Sequence, residues 1–343
     1  MRVLIFGGTG FIGGHVAQRL CDSGHEVTVF HRGANLTGAT PVLRGDRNRL
    51  TDSIDAFHRL RPDVVIDAIA FTQPQAQSLV NVFRGIAKRA VVLSSGDVYR
   101  ANDILHGRMP GVVEATPLAE SSLLRERLYP YRGVRIPGVH DFNLDHFDKI
   151  LVERAVLNNS DLPATVLRLP MVYGPGARES AKRRFFAYLK RMDDGRPEIL
   201  LDQRTAKWRA PWGYVSDVAE AVRLAVESER AAGQIYNVCE PDALDMQSWI
   251  RELAVAARWS GRLVVVDQPC PPPSLPRNLN LDQHLDMDTA KIRRELGYRE
   301  TLPRSEALKR NVDWDRERPP IEVDPAQFDY AAEDAILKQQ LER

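Results

Sequence analysis

Cysteine is scarce in this chain of 343 residues, with Cys21, Cys239 and Cys270 far apart and odd in number. They draw no disulfide framework and no CxxC pair, a usage that favours a reducing compartment. The eight histidines lack metal-ligand spacing, and no metal site is expected. No apolar run approaches the roughly 18 residues that a membrane span requires. The apolar stretch ahead of Gly7 is too short for a signal-peptide core. Charge of neither sign dominates, since 47 Lys and Arg face 46 Asp and Glu for a net +1. No basic run suggests a nucleic-acid face. These absences leave a cytoplasmic protein with neither membrane nor nucleic acid as partner.

What is present is an ordinary globular composition, 43% hydrophobic and 27% charged, in a chain long enough for one large or two intimate domains. The first half alternates short β-branched runs ("RVLIF", "EVTVF", "DVVIDAIAF", "RAVVLSS") with segments of helical spacing. Near-continuous apolar runs suit strands buried on both faces, and the alternation implies βαβ units and a parallel sheet. "DFNLDHFDKILVERAVL" at 141–157 reads as one helix, on which Asp145, Lys149 and Glu153 share a face. "ATVLRLPMVYG" follows as a further strand. Residues 123–141 have no regular period; connections of that length inside a domain usually serve function. After 174 the elements become short and mixed, and a charged tail from about 316 is expected to pack only at the periphery.

"RVLIFGGTGFIGGHVAQRL" sets Gly7, Gly10 and Gly13 in a G-x-x-G-x-x-G frame between a strand and a helix. Such glycines permit a tight turn and let backbone N–H groups approach a pyrophosphate at the helix N-terminus. The second strand ends in His31 and Arg32 rather than in an acidic residue. Arg32 would hold a 2′-phosphate, which points to NADP, with NAD as the alternative. Asp46, in "LRGDRNRL", is placed to meet the adenine amino group.

Together these residues resemble the extended short-chain dehydrogenases/reductases, the group that includes nucleotide-sugar epimerases and dehydratases. The resemblance rests on "GGTGFIG", "GD" at 45–46, "VVLSSGDVY" at 91–99 and "KILVERAV" at 149–156. It continues through "LRLPMVYGPG", "WGYVSDVAEAV" at 212–222, "GQIYNV" and "DTAKIRRELGY". It implies a Rossmann-type, doubly wound parallel sheet with a smaller C-terminal α+β substrate domain. The boundaries it suggests are 1–170 plus about 213–238 for the Rossmann domain, 171–212 plus 239–320 for the substrate domain, and 321–343 for a tail. By the same resemblance, the cofactor would be held by Gly7, Thr9, Gly10, Phe11, Ile12, Gly13, Arg32, Asp46, Ala68, Ile69, Ser94, Lys149, Pro170 and Val172. Ser95 would orient the substrate oxygen, Asp97 lies where some dehydratases carry an acidic residue, and Lys149 would anchor the nicotinamide ribose. A homodimer and a nucleotide-sugar substrate are implied likewise. Arg209 occupies a plausible place for a diphosphate, whereas Lys182–Arg184 reads as a solvated face of a helix at 181–191.

The chain departs from the family's Tyr-x-x-x-Lys pattern at the tyrosine, where Asp145 stands. A tyrosine beginning near pKa 10 is brought toward working pH by a nearby cation, while an aspartate beginning near about 3.9 is driven lower still. Asp145 is therefore a poor proton donor. Three readings stay open. Another group, Tyr129, Tyr131 or His146, supplies the proton; or Ser95, water and the ribose–Lys149 network suffice for a ketoreductase of an activated substrate; or the chain is a non-catalytic NAD(P)-binding sensor or interaction protein. The expected activity is NAD(P)-dependent epimerase, dehydratase or reductase chemistry at a hydroxyl or carbonyl carbon of a sugar-like substrate. A ketoreductase of a non-sugar small molecule is the alternative.

Overall fold

Each of the β-branched runs forms a strand in the computed structural model, which describes residues 1–33, 40–134, 144–177, 183–267, 270, 279–321 and 323–341. In chain order the strands are β1 (Arg2–Phe6), β2 (Glu26–His31), β3 (Val42–Arg44), β4 (Val64–Asp67), β5 (Arg89–Ser95) and β6 (Ala164–Leu169). The short β7 (Met171–Tyr173), β8 (Glu198–Asp202), β9 (Trp212–Tyr214), β10 (Ile235–Asn237) and β11 (Arg262–Val266) follow. Seven of them build one parallel sheet in the order β10-β6-β5-β4-β1-β2-β3. The order reverses between β1 and β4, and in open α/β sheets that switch point is where ligands bind, beyond the carboxyl ends of the strands.

Period-two alternation divides β1 between two cores. Val3 and Ile5 pack under α1 (Phe11–Asp22) and α8 (Val215–Glu227), while Leu4 and Phe6 face α3 (Gln73–Phe83) and α5 (Lys149–Leu157) on the other side. Phe6 meets Phe30, Phe57 and Phe83 edge-on at 5.0, 6.3 and 5.8 Å between ring centres, a geometry that aromatic quadrupoles favour. Every residue of β6 is buried. This burial leaves no solvent face, which is why the strand reads as a continuous apolar run apart from Thr165 and Arg168.

The expected strand "ATVLRLPMVYG" divides at Pro170. Proline donates no backbone hydrogen bond, so the ladder breaks there, and β7 turns away to pair with β9. A second layer beyond it joins the parallel pair β8–β11 to α6 (Phe186–Asp193), α9 (Met246–Ala257) and α11 (Arg304–Glu317). Trp208, Trp212 and Trp249 fill its core with Phe185 and Tyr173, so these tryptophans serve packing rather than a sugar platform. The helix expected at 181–191 starts only at Phe186; Lys182 lies outside the described residues, Arg183 is buried on Asp315 at 3.0 Å, and Arg184 is exposed.

Two further expectations are corrected. The segment 141–157 is not one helix: α5 begins at Lys149 with Asp148 as its N-cap, and Leu144–His146 form a separate single turn. The tail is not merely peripheral, because Glu333 of α12 (Tyr330–Leu341) is buried against Arg191 at 2.8 Å. Among the described residues no helix is long and apolar enough to cross a membrane.

Candidate active site

The chain leaves β1 at Gly7 with φ +82, a left-handed turn open to glycine. Gly10 N–H donates to Gly7 O at 3.0 Å and caps α1, whose first residues are Phe11 and Ile12. A Cβ at Gly13 would lie 2.1 Å from Gly7 O, so only glycine lets the helix approach the turn this closely. With Thr9, the result is a glycine-opened cradle of backbone N–H groups at the N-terminus of a 12-residue helix, which fits a dinucleotide pyrophosphate. Ala68 and Ile69 follow β4 across the turn, the Ile69 side chain lying under Gly7. Arg32 is exposed at the end of β2, and His31 is turned back to accept from Gly33 N–H at 2.8 Å. Asp46 forms a local turn, accepting from Asn48 N–H at 2.9 Å. Its neighbour Arg47, not singled out by the sequence, forms a buried pair with Asp67 at the end of β4 (Nε–Oδ2 2.9 Å).

A second cluster gathers at the ends of β5 and β6. Ser95 is the last residue of β5, and its Oγ accepts from Asp97 N–H at 3.2 Å. The Asp97 carboxylate is buried and receives the Tyr131 hydroxyl on Oδ2 at 3.1 Å. Burial pushes the Asp97 carboxyl up to about 6, against the Arg125 guanidinium, the Tyr131 hydroxyl and the Lys149 ammonium, which pull it down. Burial, then the Asp97 charge, pushes the Tyr131 phenol well above its ordinary value. Lys149 Nζ donates to Ala70 O at 2.8 Å and to Leu93 O at 2.7 Å, between the ends of β4 and β5. Its burial brings it down to about 8, while Asp67, Asp97 and Glu153 oppose that fall. Asp97 and Lys149 thus lie on either side of neutrality.

The other expected residues take different places. Asp145 is not stacked on Lys149: the cap at Asp148 puts it in the turn before α5, where its Oδ1 accepts from Gly133 N–H at 2.8 Å. The buried Ser94 hydroxyl donates to Glu153 at 2.5 Å. Glu153 in turn pairs with buried Arg168 (2.8 Å) rather than with Lys149. Pro170 lies between β6 and β7, and Val172 is the buried middle residue of β7. His146 is exposed. Arg209 pairs with Asp286 at 3.5 Å. The sequence reading missed Arg125 and Asp148, both buried: Arg125 Nε donates to Asp97 O at 2.5 Å, and Asp148 Oδ2 accepts from Tyr129 N–H at 2.7 Å. Asp148 before an apolar run carried an N-cap signal that would have found it.

The model of the "NAD dependent epimerase/dehydratase family" matches residues 3–102 and 147–239. The first block carries the glycine cradle, Ser95 and Asp97, and the second carries Lys149 and Pro170. The gap contains Arg125, Tyr131 and Asp145, which lie outside the matched residues. UDP-N-acetyl-alpha-D-glucosaminuronate decarboxylase of Bacillus cytotoxicus is 24% identical, over 92% of this chain and 98% of that one. The 2-alkyl-3-oxoalkanoate reductase of Stenotrophomonas maltophilia is 25% identical over 75% and 76% of the two chains. The UDP-glucose 4-epimerase of Thermotoga maritima, solved with UDP-glucose, superimposes with a TM-score of 0.68 at 20% identity, over 92% of this chain and 99% of that one. With more than half of its residues matched, in blocks that meet at the cradle and the Ser95–Lys149 cluster, the chain belongs to the NAD-dependent epimerase/dehydratase family of enzymes.

Proposed function

We propose that this protein catalyses reversible hydride chemistry at a hydroxyl or carbonyl carbon of a sugar-like substrate, with Asp97 as its acid–base group. The observation that carries the reading is the buried Asp97 carboxyl, brought to about 6, hydrogen-bonded to Tyr131 and one turn from Ser95. When bound, the dinucleotide supplies the hydride acceptor and donor. The chain's residues do the rest. The glycine cradle holds the pyrophosphate, Lys149 reaches the nicotinamide ribose, and Ser95 donates to the substrate oxygen. Asp97 takes the hydroxyl proton in oxidation and returns it in reduction, and Tyr131 fixes the orientation of its carboxyl. An acid–base group poised near the working pH contributes about 10²–10⁴ in rate. Asp145 has no part in this transfer.

A nucleotide sugar is the substrate class favoured by the decarboxylase relative and by the fold shared with the epimerase. A second reading, a reductase of an apolar ketone, is supported by the exposed Val112, Val113, Leu123 and Val134 on the connection that carries Tyr131, and by the oxoalkanoate reductase relative. NADP is favoured because residues 31–33 present an exposed arginine and no carboxylate for a ribose 2′-hydroxyl. A homodimer and a cytoplasmic setting belong to the same proposal; the latter is supported by three cysteines that form no disulfide.

The test is to follow cofactor absorbance with UDP-glucose, UDP-glucuronic acid and a 2-alkyl-3-oxoalkanoate, using NADP(H) and NAD(H) in turn. With the substrate turned over, Asp97→Asn should lower kcat by at least about 10²-fold while cofactor affinity stays put. Wild-type turnover in Asp97→Asn overturns the assignment, and equal affinity for both cofactors, unmoved by Arg32→Ala, overturns the choice of NADP.

A further inference from the structure

A tyrosine on a helix is placed by the helix, but Tyr131 rides on an irregular connection and has to be fastened. We propose that Asp148 is the positioning residue that fastens it, locking residues 125–134 to the start of α5 and thereby presenting Tyr131 to Asp97. The proposal rests on the reading of Asp97 and Tyr131 given above.

Both oxygens of the fully buried Asp148 carboxylate are in use. Oδ1 caps α5 by accepting from Ile150 N–H at 2.9 Å and lies 3.4 Å from Arg125 Nη2, while Oδ2 accepts from Tyr129 N–H at 2.7 Å. The residue's own N–H donates to Phe71 O at 2.9 Å, tying it to the chain beyond β4. Arg125 extends the lock, since its N–H donates to Val98 O at 2.8 Å and its Nε to Asp97 O at 2.5 Å. One carboxylate therefore joins three pieces of the site: the helix that carries Lys149, the turn that carries Tyr131, and, through Arg125, the backbone of Asp97.

The turn needs such a clamp. Tyr129 stands at φ +54, a left-handed conformation that a residue with a Cβ adopts only when its surroundings impose it. The Asp148 bond fixes its N–H, Arg132 N–H returns to Tyr129 O at 3.2 Å, and the Arg132 guanidinium lies 4.4 Å over the Tyr129 ring. Two residues later the chain is aimed so that the Tyr131 hydroxyl meets Asp97. Phe147, just before Asp148, packs edge-on against the Tyr131 ring at 5.2 Å. Releasing the clamp frees the turn to relax and draws the phenol away from the carboxyl.

The chemistry of the carboxylate makes the claim testable. It accepts on both oxygens, whereas an asparagine has one acceptor and one donor and cannot take the Ile150 and Tyr129 N–H groups together. A serine caps Ile150 but is too short to reach Tyr129. We therefore expect Asp148→Asn and Asp148→Ser to stay folded and to bind NADP⁺ within about 3-fold of wild type, with amides 129–134 exchanging at least about 10-fold faster by hydrogen-exchange mass spectrometry. With the substrate identified above, Asp148→Asn should lower kcat about 10–100-fold without moving the cofactor KM, and add no more than about 2-fold in a Tyr131→Phe background. Unchanged protection of 129–134, losses that multiply in the double variant, or collapse of the fold in both single variants overturns the proposal. If Tyr131→Phe alone retains wild-type kcat and Asp97→Asn does too, the reading of the proton pair has failed; if those variants are slow while Asp148→Asn is not, only the positioning role has failed.

Discussion

Asp97→Asn should make this protein more stable above neutrality while disabling it. The folded chain raises the Asp97 carboxyl from 3.8 to about 6, chiefly by burying it. Between those values the folded state binds more protons than the unfolded one, so stability falls as pH rises from about 4 to about 6 and then levels off. The ionised carboxylate accordingly costs about 3 kcal/mol at pH 8, by the equivalence of one pKa unit with about 1.4 kcal/mol. An asparagine carries no charge, keeps an oxygen for the Tyr131 hydroxyl, and leaves Arg125 its bonds to Asp97 O and Arg127 O. Its stabilisation should approach about 3 kcal/mol at pH 8, fall to about half at pH 5, and to about a fifth near pH 4. In a chain of this length that is about 3–6 °C in Tm at pH 8. Scanning calorimetry of the two proteins across pH 5–8 reads the effect directly. An asparagine variant that is less stable than wild type at pH 8, or a gain independent of pH, would refute the argument that burial dominates this site.

The pH–rate profile should follow the same groups. In the reductive direction kcat/KM declines above about pH 6 as Asp97 loses its proton; in the oxidative direction it rises through about 6 and falls beyond about 8 as Lys149 discharges, and Asp97→Asn abolishes the limb near 6. Gly13→Ala places a Cβ 2.1 Å from Gly7 O, so calorimetric titration should show dinucleotide affinity reduced by at least about 10-fold. Arg168→Met strands the buried Glu153 carboxylate and should cost about 3–5 kcal/mol in denaturant unfolding; adding Glu153→Met should recover much of that loss.

The parts of this fold that were legible in the sequence are those set by local pattern. The glycine turn, the apolar strands and the helix after each announce themselves over five to twelve residues, and Ser95, Asp97 and Lys149 ride on the elements so defined. The reading failed at the start of α5. A ladder of charges four apart says which residues would share a helix face but not where the helix begins; the cap decides that, and the cap is Asp148. The path of residues 125–134 was illegible for a related reason. It is fixed by bonds such as Tyr129 to Asp148 and Arg125 to Asp97, separated by 19 and 28 positions, for which the segment itself carries no period.

Those two failures have one physical origin. Asp145 and Asp148 flank the turn before α5, and each takes a backbone N–H from the same connection, at Gly133 and Tyr129 respectively. Between these two points of attachment lies Tyr131. The Asp145 carboxylate, accepting from Gly133 N–H at 2.8 Å, holds the loop there. Asp145 is then a fastening point of the connection rather than a member of the α5 face. Held at Gly133 and Tyr129, the connection brings the Tyr131 phenol to the Asp97 carboxyl just beyond β5.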